Sequence, residues 1–223
     1  MFGSKLQIRR FDKSIARYEE KPVEKGLIML YGHSLFTRCQ PDNRWGHPNV
    51  EEAVLTKDGK KAILNHGFGT SSADDLLYYY HRMVTPYEPR ALVLATGNND
   101  FAMGYTADEV VNIQARIIQY ARAEFPDIPI YCFSLVPTQG QKAATGKAAE
   151  RRDRYDSLLR QLCDEMNCTF VSLVDLPLWF EKEEDAGAYE RVGITMFGDR
   201  SHLNSEGYLK FMDFLRDLLD PLL

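Results

Sequence analysis

Residues 26–38 read "GLIMLYGHSLFTR". Leu27 to Tyr31 is an unbroken apolar run, and Gly32 ends it just before a segment that can open a short helix at Ser34. An apolar run without alternation is a strand buried on both faces, which is how the strands of a parallel sheet read. The pattern recurs as "AILNH" 62–66, "ALVLAT" 91–96, "IPIYCFS" 128–134 and "CTFVSL" 168–173.

Helix-compatible stretches separate these runs. "SSADDLLYYYHRMV" (71–84) opens with good N-cap residues and carries apolar positions at helical spacing. "TADEVVNIQARIIQYARAEF" (106–125) begins with a Thr106-x-x-Glu109 capping box. "KAAERRDRYDSLLRQLCDEM" (147–166) is rich in helix formers, and its "RRDR" (151–154) reads as a solvated face. The last helix, near 205–219, sets Tyr208, Phe211, Met212, Leu215, Leu218 and Leu219 on one stripe. Strand and helix alternating five times predict a five-stranded parallel sheet in a three-layer α/β/α sandwich of the flavodoxin-like kind. With no repeat, low-complexity tract or Pro/Ser linker, the expectation is one domain over 1–223, of which 1–25 form a leading helix and linker.

The 223 residues are 44% hydrophobic and 26% charged, with a formal charge of −5, so no basic footprint for nucleic acid or anionic membrane is evident. "MFGSKLQIRRFDKS" lacks the apolar core of a signal peptide, and no run reaches membrane-spanning length. A cytoplasmic location with reduced thiols is therefore expected. Cys132 reads as a small buried hydrophobe, and the Cys163/Cys168 spacing does not suit zinc. Oligomeric state is not legible.

In an open parallel sheet the ligand site lies beyond the carboxyl ends of the strands, so residues just after strand ends are the candidates. Ser34 follows the first strand, as a nucleophile or simply as the helix cap. It is not a G-x-S-x-G elbow, because Phe36 stands at the second glycine. "NHGFGTS" (65–71) makes a glycine-containing turn after the second strand, and "TGNNDF" (96–101) follows the third. There an asparagine can present its NH₂ as a donor while Asp100 fixes the loop. Near the C-terminus, "FGDRSHLNSEGY" (197–208) places Asp199 three residues before His202, where a carboxylate on a tight turn can orient an imidazole.

Taken together, "GHS" at 32–34, "NHGFGTS" at 65–71, "GNND" at 97–100 and "DRSH" at 199–202 resemble the four blocks of the SGNH or GDSL-type hydrolases, over most of the chain. That resemblance implies Ser34 as nucleophile, His202 as general base then acid, and Asp199 as its orienter. It implies an oxyanion hole from the N–H groups of Ser34 and of Thr70 or Gly69, with the side-chain amide of Asn99. It also implies acyl transfer from a small ester through an acyl-serine, with no metal or organic cofactor. Two positions depart from the family: His33 replaces an aspartate, and Thr70 stands where a glycine is expected. These departures leave open a second reading, a non-catalytic flavodoxin-like module binding a small ligand.

His33 is expected to pack or hydrogen-bond beneath the serine rather than act as base, and His47 and His66 read as loop residues. Trp45, Trp179, Phe180 and above all Phe197 are candidates for an acyl pocket, and "PTQGQ" (137–141) for a substrate contact.

Overall fold

The computed structural model describes residues 8–136, 146–173 and 202–223. Five parallel strands, β1 (Ile28–Gly32), β2 (Ile63–Gly67), β3 (Ala91–Ala95), β4 (Ile130–Phe133) and β5 (Thr169–Val171), form one sheet in the order β2-β1-β3-β4-β5. The flanking helices are α1 (Asp12–Glu19), α2 (Ser34–Thr37), α3 (Val50–Ala53), α4 (Ala73–Met83), α5 (Asn98–Ala102), α6 (Ala107–Glu124), α7 (Lys147–Glu165) and α8 (Ser205–Leu219).

Successive side chains of a strand point to opposite faces, and here both faces are buried. Met29 and Tyr31 of β1, with Leu92 and Leu94 of β3, pack into the core shared with α4, α6 and α7. Ile28, Leu30 and Val93 pack into the other core, against Tyr208, Phe211, Met212 and Leu215 of α8. This is the expected three-layer sandwich, and the apolar runs lack alternation because neither face meets water.

Polar caps fix where the helices begin. Ser72 and Asp75 form a reciprocal capping box on α4, as Thr106 and Glu109 do on α6. Asn204 accepts the Gly207 N–H at 2.8 Å and so starts α8 directly after His202. The open edge of β2 is covered by side chains: Glu51 accepts the Asn65 N–H at 2.8 Å, and Gln40 donates to Gly67 O at 2.8 Å.

The chain leaves β1 for β2 on one side, and β3 lies on β1's other side. The loops after β1 and β3 therefore diverge at a topological switch point, where a crevice opens at the carboxyl ends of the strands.

Candidate active site

Gly32 ends β1 where a Cβ would stand 2.7 Å from Ala95 O of the neighbouring strand, so only glycine lets the two strand ends close up. His33 follows, 3% exposed, and it is this residue rather than Ser34 that caps α2. Its Nδ1 accepts the Leu35 N–H at 3.3 Å. Burial, aided by the nearby His202, lowers the His33 pKa to about 4. A neutral ring suits the site, since protonating Nδ1 would turn an acceptor towards the Leu35 N–H into a second donor. With His33 as cap, the Ser34 hydroxyl is spared that duty. Ser34 Oγ lies 3.0 Å from His202 Nε2, across 168 residues of sequence.

His202 is held by its neighbours in sequence, the buried Leu203 and the α8 cap Asn204. A cavity of about 250 Å³ opens over the pair, lined by His33, Ser34, Asn98, Asn99, Val136 and His202 among others.

The loop after β2 is tied to the end of β1 and to the start of α5. Phe68 N–H bonds Gly32 O at 2.9 Å, and Ser71 N–H closes a four-residue turn onto Phe68 O at 3.3 Å. Thr70, third in that turn, has φ +64°, the conformation a type II turn requires at this position and normally assigns to glycine. Neither the Gly69 nor the Thr70 N–H meets an acceptor among the described residues. Asn99, at the start of α5, donates one amide N–H to Ser71 O at 2.9 Å. Its other N–H is left for the cavity that Asn99 lines.

Asp100 stitches the two loops together. Its carboxylate accepts the Ala73 N–H at 2.7 Å and the Gly97 N–H at 2.9 Å. Burial raises its pKa to about 6 despite these bonds. Asn98 adds a third tie, accepting the Val136 N–H at 3.1 Å.

Ser34, His202, Asn99 and the Gly69–Thr70 turn are thus gathered at one sheet end. Asp199 lies outside the described residues, as do Trp179, Phe180, Phe197 and the 137–141 segment. Two expectations need correction. His66 is not in a loop: it sits buried in β2, its Nδ1 2.7 Å from Met83 O, because a histidine with a backbone partner can occupy a buried strand. His47, by contrast, lies in a loop as expected, its ring tilted against Tyr208 with centroids 4.9 Å apart and its Nδ1 3.0 Å from Ser205 Oγ. Trp45 does not line the cavity, being flanked by the Arg38 and Arg44 guanidiniums at 4.7 and 4.6 Å.

A larger cavity of about 360 Å³ opens at the β2 edge beside Glu51, Lys61 and His66, with no serine or cysteine among the described residues of its wall. Among the described residues no three His, Cys, Asp or Glu side chains converge as metal ligands would, and no helix is long and apolar enough to cross a membrane.

The sequence profile of the GDSL-like lipase/acylhydrolase family matches residues 30–210, most of the chain. The chain belongs to that family. As a GDSL-like protein it is a hydrolase of ester bonds. No curated protein matches it in sequence. Among solved structures it is similar to a Streptococcus pneumonia protein provisionally described as a platelet activating factor (20% identity, 94% of this chain and 91% of that one, TM-score 0.69). It is similar also to a GDSL-like lipase from Bacteroides thetaiotaomicron (16%, 99% and 100%, TM-score 0.62). A third is an acetylxylan esterase from Geobacillus stearothermophilus (16%, 88% and 95%, TM-score 0.61). At these identities the likeness is one of fold. In this GDSL-like chain the residue before Ser34 is the capping His33, and Thr70 in the loop after β2 has a left-handed backbone.

Proposed function

We propose that this protein hydrolyses small acyl esters, acetyl esters foremost, through an acyl-serine intermediate on Ser34. The observation that carries the reading is the 3.0 Å contact between Ser34 Oγ and His202 Nε2 at the floor of the switch-point cavity. His202 takes the hydroxyl proton as Oγ attacks the ester carbonyl, then gives it to the departing alkoxide. In the second half-reaction it deprotonates the water that frees the acid. Asp199, three residues earlier, is assigned to hold the imidazole and to favour its charged form. The tetrahedral oxyanion is received by the N–H groups of Ser34 and of Thr70 or Gly69, with the Asn99 amide.

The cavity's size supports a short acyl chain. About 250 Å³ is below the range typical of drug-sized ligand sites, roughly 300–1,000 Å³, and suits an acetyl or similarly short group. An acetyl ester is also what the Geobacillus neighbour is named for.

The test is turnover of p-nitrophenyl acetate, butyrate and octanoate by wild type and Ser34→Ala, together with labelling by a fluorophosphonate. The expected result is fastest turnover of acetate, a loss of at least about 10³-fold in Ser34→Ala, and labelling confined to Ser34. A wild type that cleaves none of these esters and takes no label would leave a ligand-binding module as the better reading.

A further inference from the structure

The Phe68–Ser71 turn holds a β-branched residue in backbone territory that glycine normally occupies, since Thr70 has φ +64°. Left to itself a threonine there drifts towards negative φ, which would swing its N–H away from its present direction. Arg10, sixty residues earlier and just ahead of α1, meets this loop from outside. Its Nη2 donates to Thr70 O at 2.8 Å, while Nε bonds both Asp75 oxygens at 3.1 and 3.2 Å and Nη2 also reaches Asp75 Oδ2. Asp75 is anchored in turn, accepting Ser72 N–H and Ser72 Oγ–H at 2.8 Å each. The guanidinium lies 4.6 Å from the centre of the Phe11 ring, which itself packs edge-on against Phe68. The turn is therefore pinned at Thr70 O by Arg10 and at Ser71 O by Asn99, with the Thr70 N–H left unbonded among the described residues.

We propose that Arg10 is a positioning residue for the oxyanion hole, its guanidinium clamping Thr70 in the left-handed conformation that aims the Thr70 N–H at the ester oxygen. This rests on the assignment of Ser34 as nucleophile and takes Thr70, rather than Gly69, as the loop donor. The clamp fits the sequence departure: a glycine at 70 would take the conformation unaided, whereas threonine needs an external tie. Arginine is required because only its planar fork can span a carboxylate and a carbonyl together.

The experiment measures kcat and KM for p-nitrophenyl acetate in wild type, Arg10→Ala, Arg10→Lys, Thr70→Gly and both Arg10 variants combined with Thr70→Gly, with thermal melts of each. Arg10→Ala is expected to lower kcat by about tenfold or more, short of the ~10²–10³ lost with a whole oxyanion donor, and to change KM by less than about twofold. Arg10→Lys keeps a cation on Asp75 but drops the Thr70 bond, so it should lose kcat as well. Adding Thr70→Gly to either Arg10 variant should bring kcat back to within about threefold of Thr70→Gly alone, a coupling that lost packing would not produce. If Arg10→Ala does not fold, the Arg10→Lys pair decides. Unchanged kcat in folded Arg10 variants, or losses that Thr70→Gly leaves untouched, would overturn the proposal while Ser34→Ala remains inactive. Ester turnover that survives Ser34→Ala would overturn the nucleophile assignment and this proposal with it.

Discussion

Replacing His33 by asparagine tests whether this histidine is a neutral structural cap. In the native protein its pKa is lowered to about 4 from 6.5, so between those values the unfolded chain binds a proton that the folded chain refuses. Stability from this group is therefore complete above the unfolded value and is lost as pH falls towards 4. From pH 7 to about 4.5 the loss comes to about 2 kcal/mol, taking ~1.4 kcal/mol per pH unit of displacement and partial native protonation at the lower limit. Asparagine is a competent N-cap without a titrating group, so the substituted side chain can accept the Leu35 N–H at either pH. Removing the ring lowers stability by a similar amount at both pH values and drops out of the comparison. Other groups act in the same window in both proteins: His66, lowered to about 4, and His47, lowered by burial, add to acid lability, while Asp100, raised to about 6, opposes it. The assay is urea unfolding of wild type and His33→Asn at about pH 7 and 4.5. The wild-type midpoint should fall by roughly 1 M more than that of the variant, from an m-value of about 2–3 kcal/mol/M. A difference between the two proteins that stays constant with pH would refute the neutral-cap assignment.

Asn99→Ala should lower kcat for p-nitrophenyl acetate by about 10²–10³ with a smaller change in KM, because one oxyanion donor is lost and Ser71 O loses its partner. Gly67→Ala should destabilise the fold by about 1–3 kcal/mol in thermal melts, since a Cβ there would sit 2.5 Å from Phe36 Cβ and 2.7 Å from Thr37 N. In Asp100→Asn, one of the N–H groups of Ala73 and Gly97 would face an NH₂ instead of an oxygen. That should reduce stability by about 1–3 kcal/mol, seen in urea unfolding, and lower kcat as Asn99 shifts.

Sequence reading was strongest where one residue's environment is set by its neighbours in the chain. The five apolar runs lie within two residues of the observed strands because burial on both faces demands uninterrupted apolar letters, and burial is what makes a parallel strand. The Thr106–Glu109 capping box also stood out, since a cap is satisfied within one helical turn. His66 reads as a loop residue because its letter is polar, while the backbone partner that lets it enter a buried strand, Met83 O, lies seventeen positions on. Ser34 as mere cap was a fair alternative from sequence, and it lapsed only because the adjacent imidazole of His33 does the capping.

By itself, then, the sequence determined the layered α/β architecture, the strand-end positions of the candidate residues and the family to which the chain belongs. These follow from periodicity, local capping and short motifs, all of which act over a few residues. Tertiary structure alone decided that His202 meets Ser34 at 3.0 Å, that Thr70 is bent into a glycine's conformation, and that Arg10 donates to its carbonyl oxygen. Such facts depend on contacts between residues separated by 168 and 60 positions, which exist only once the sheet order brings distant loops to the same edge.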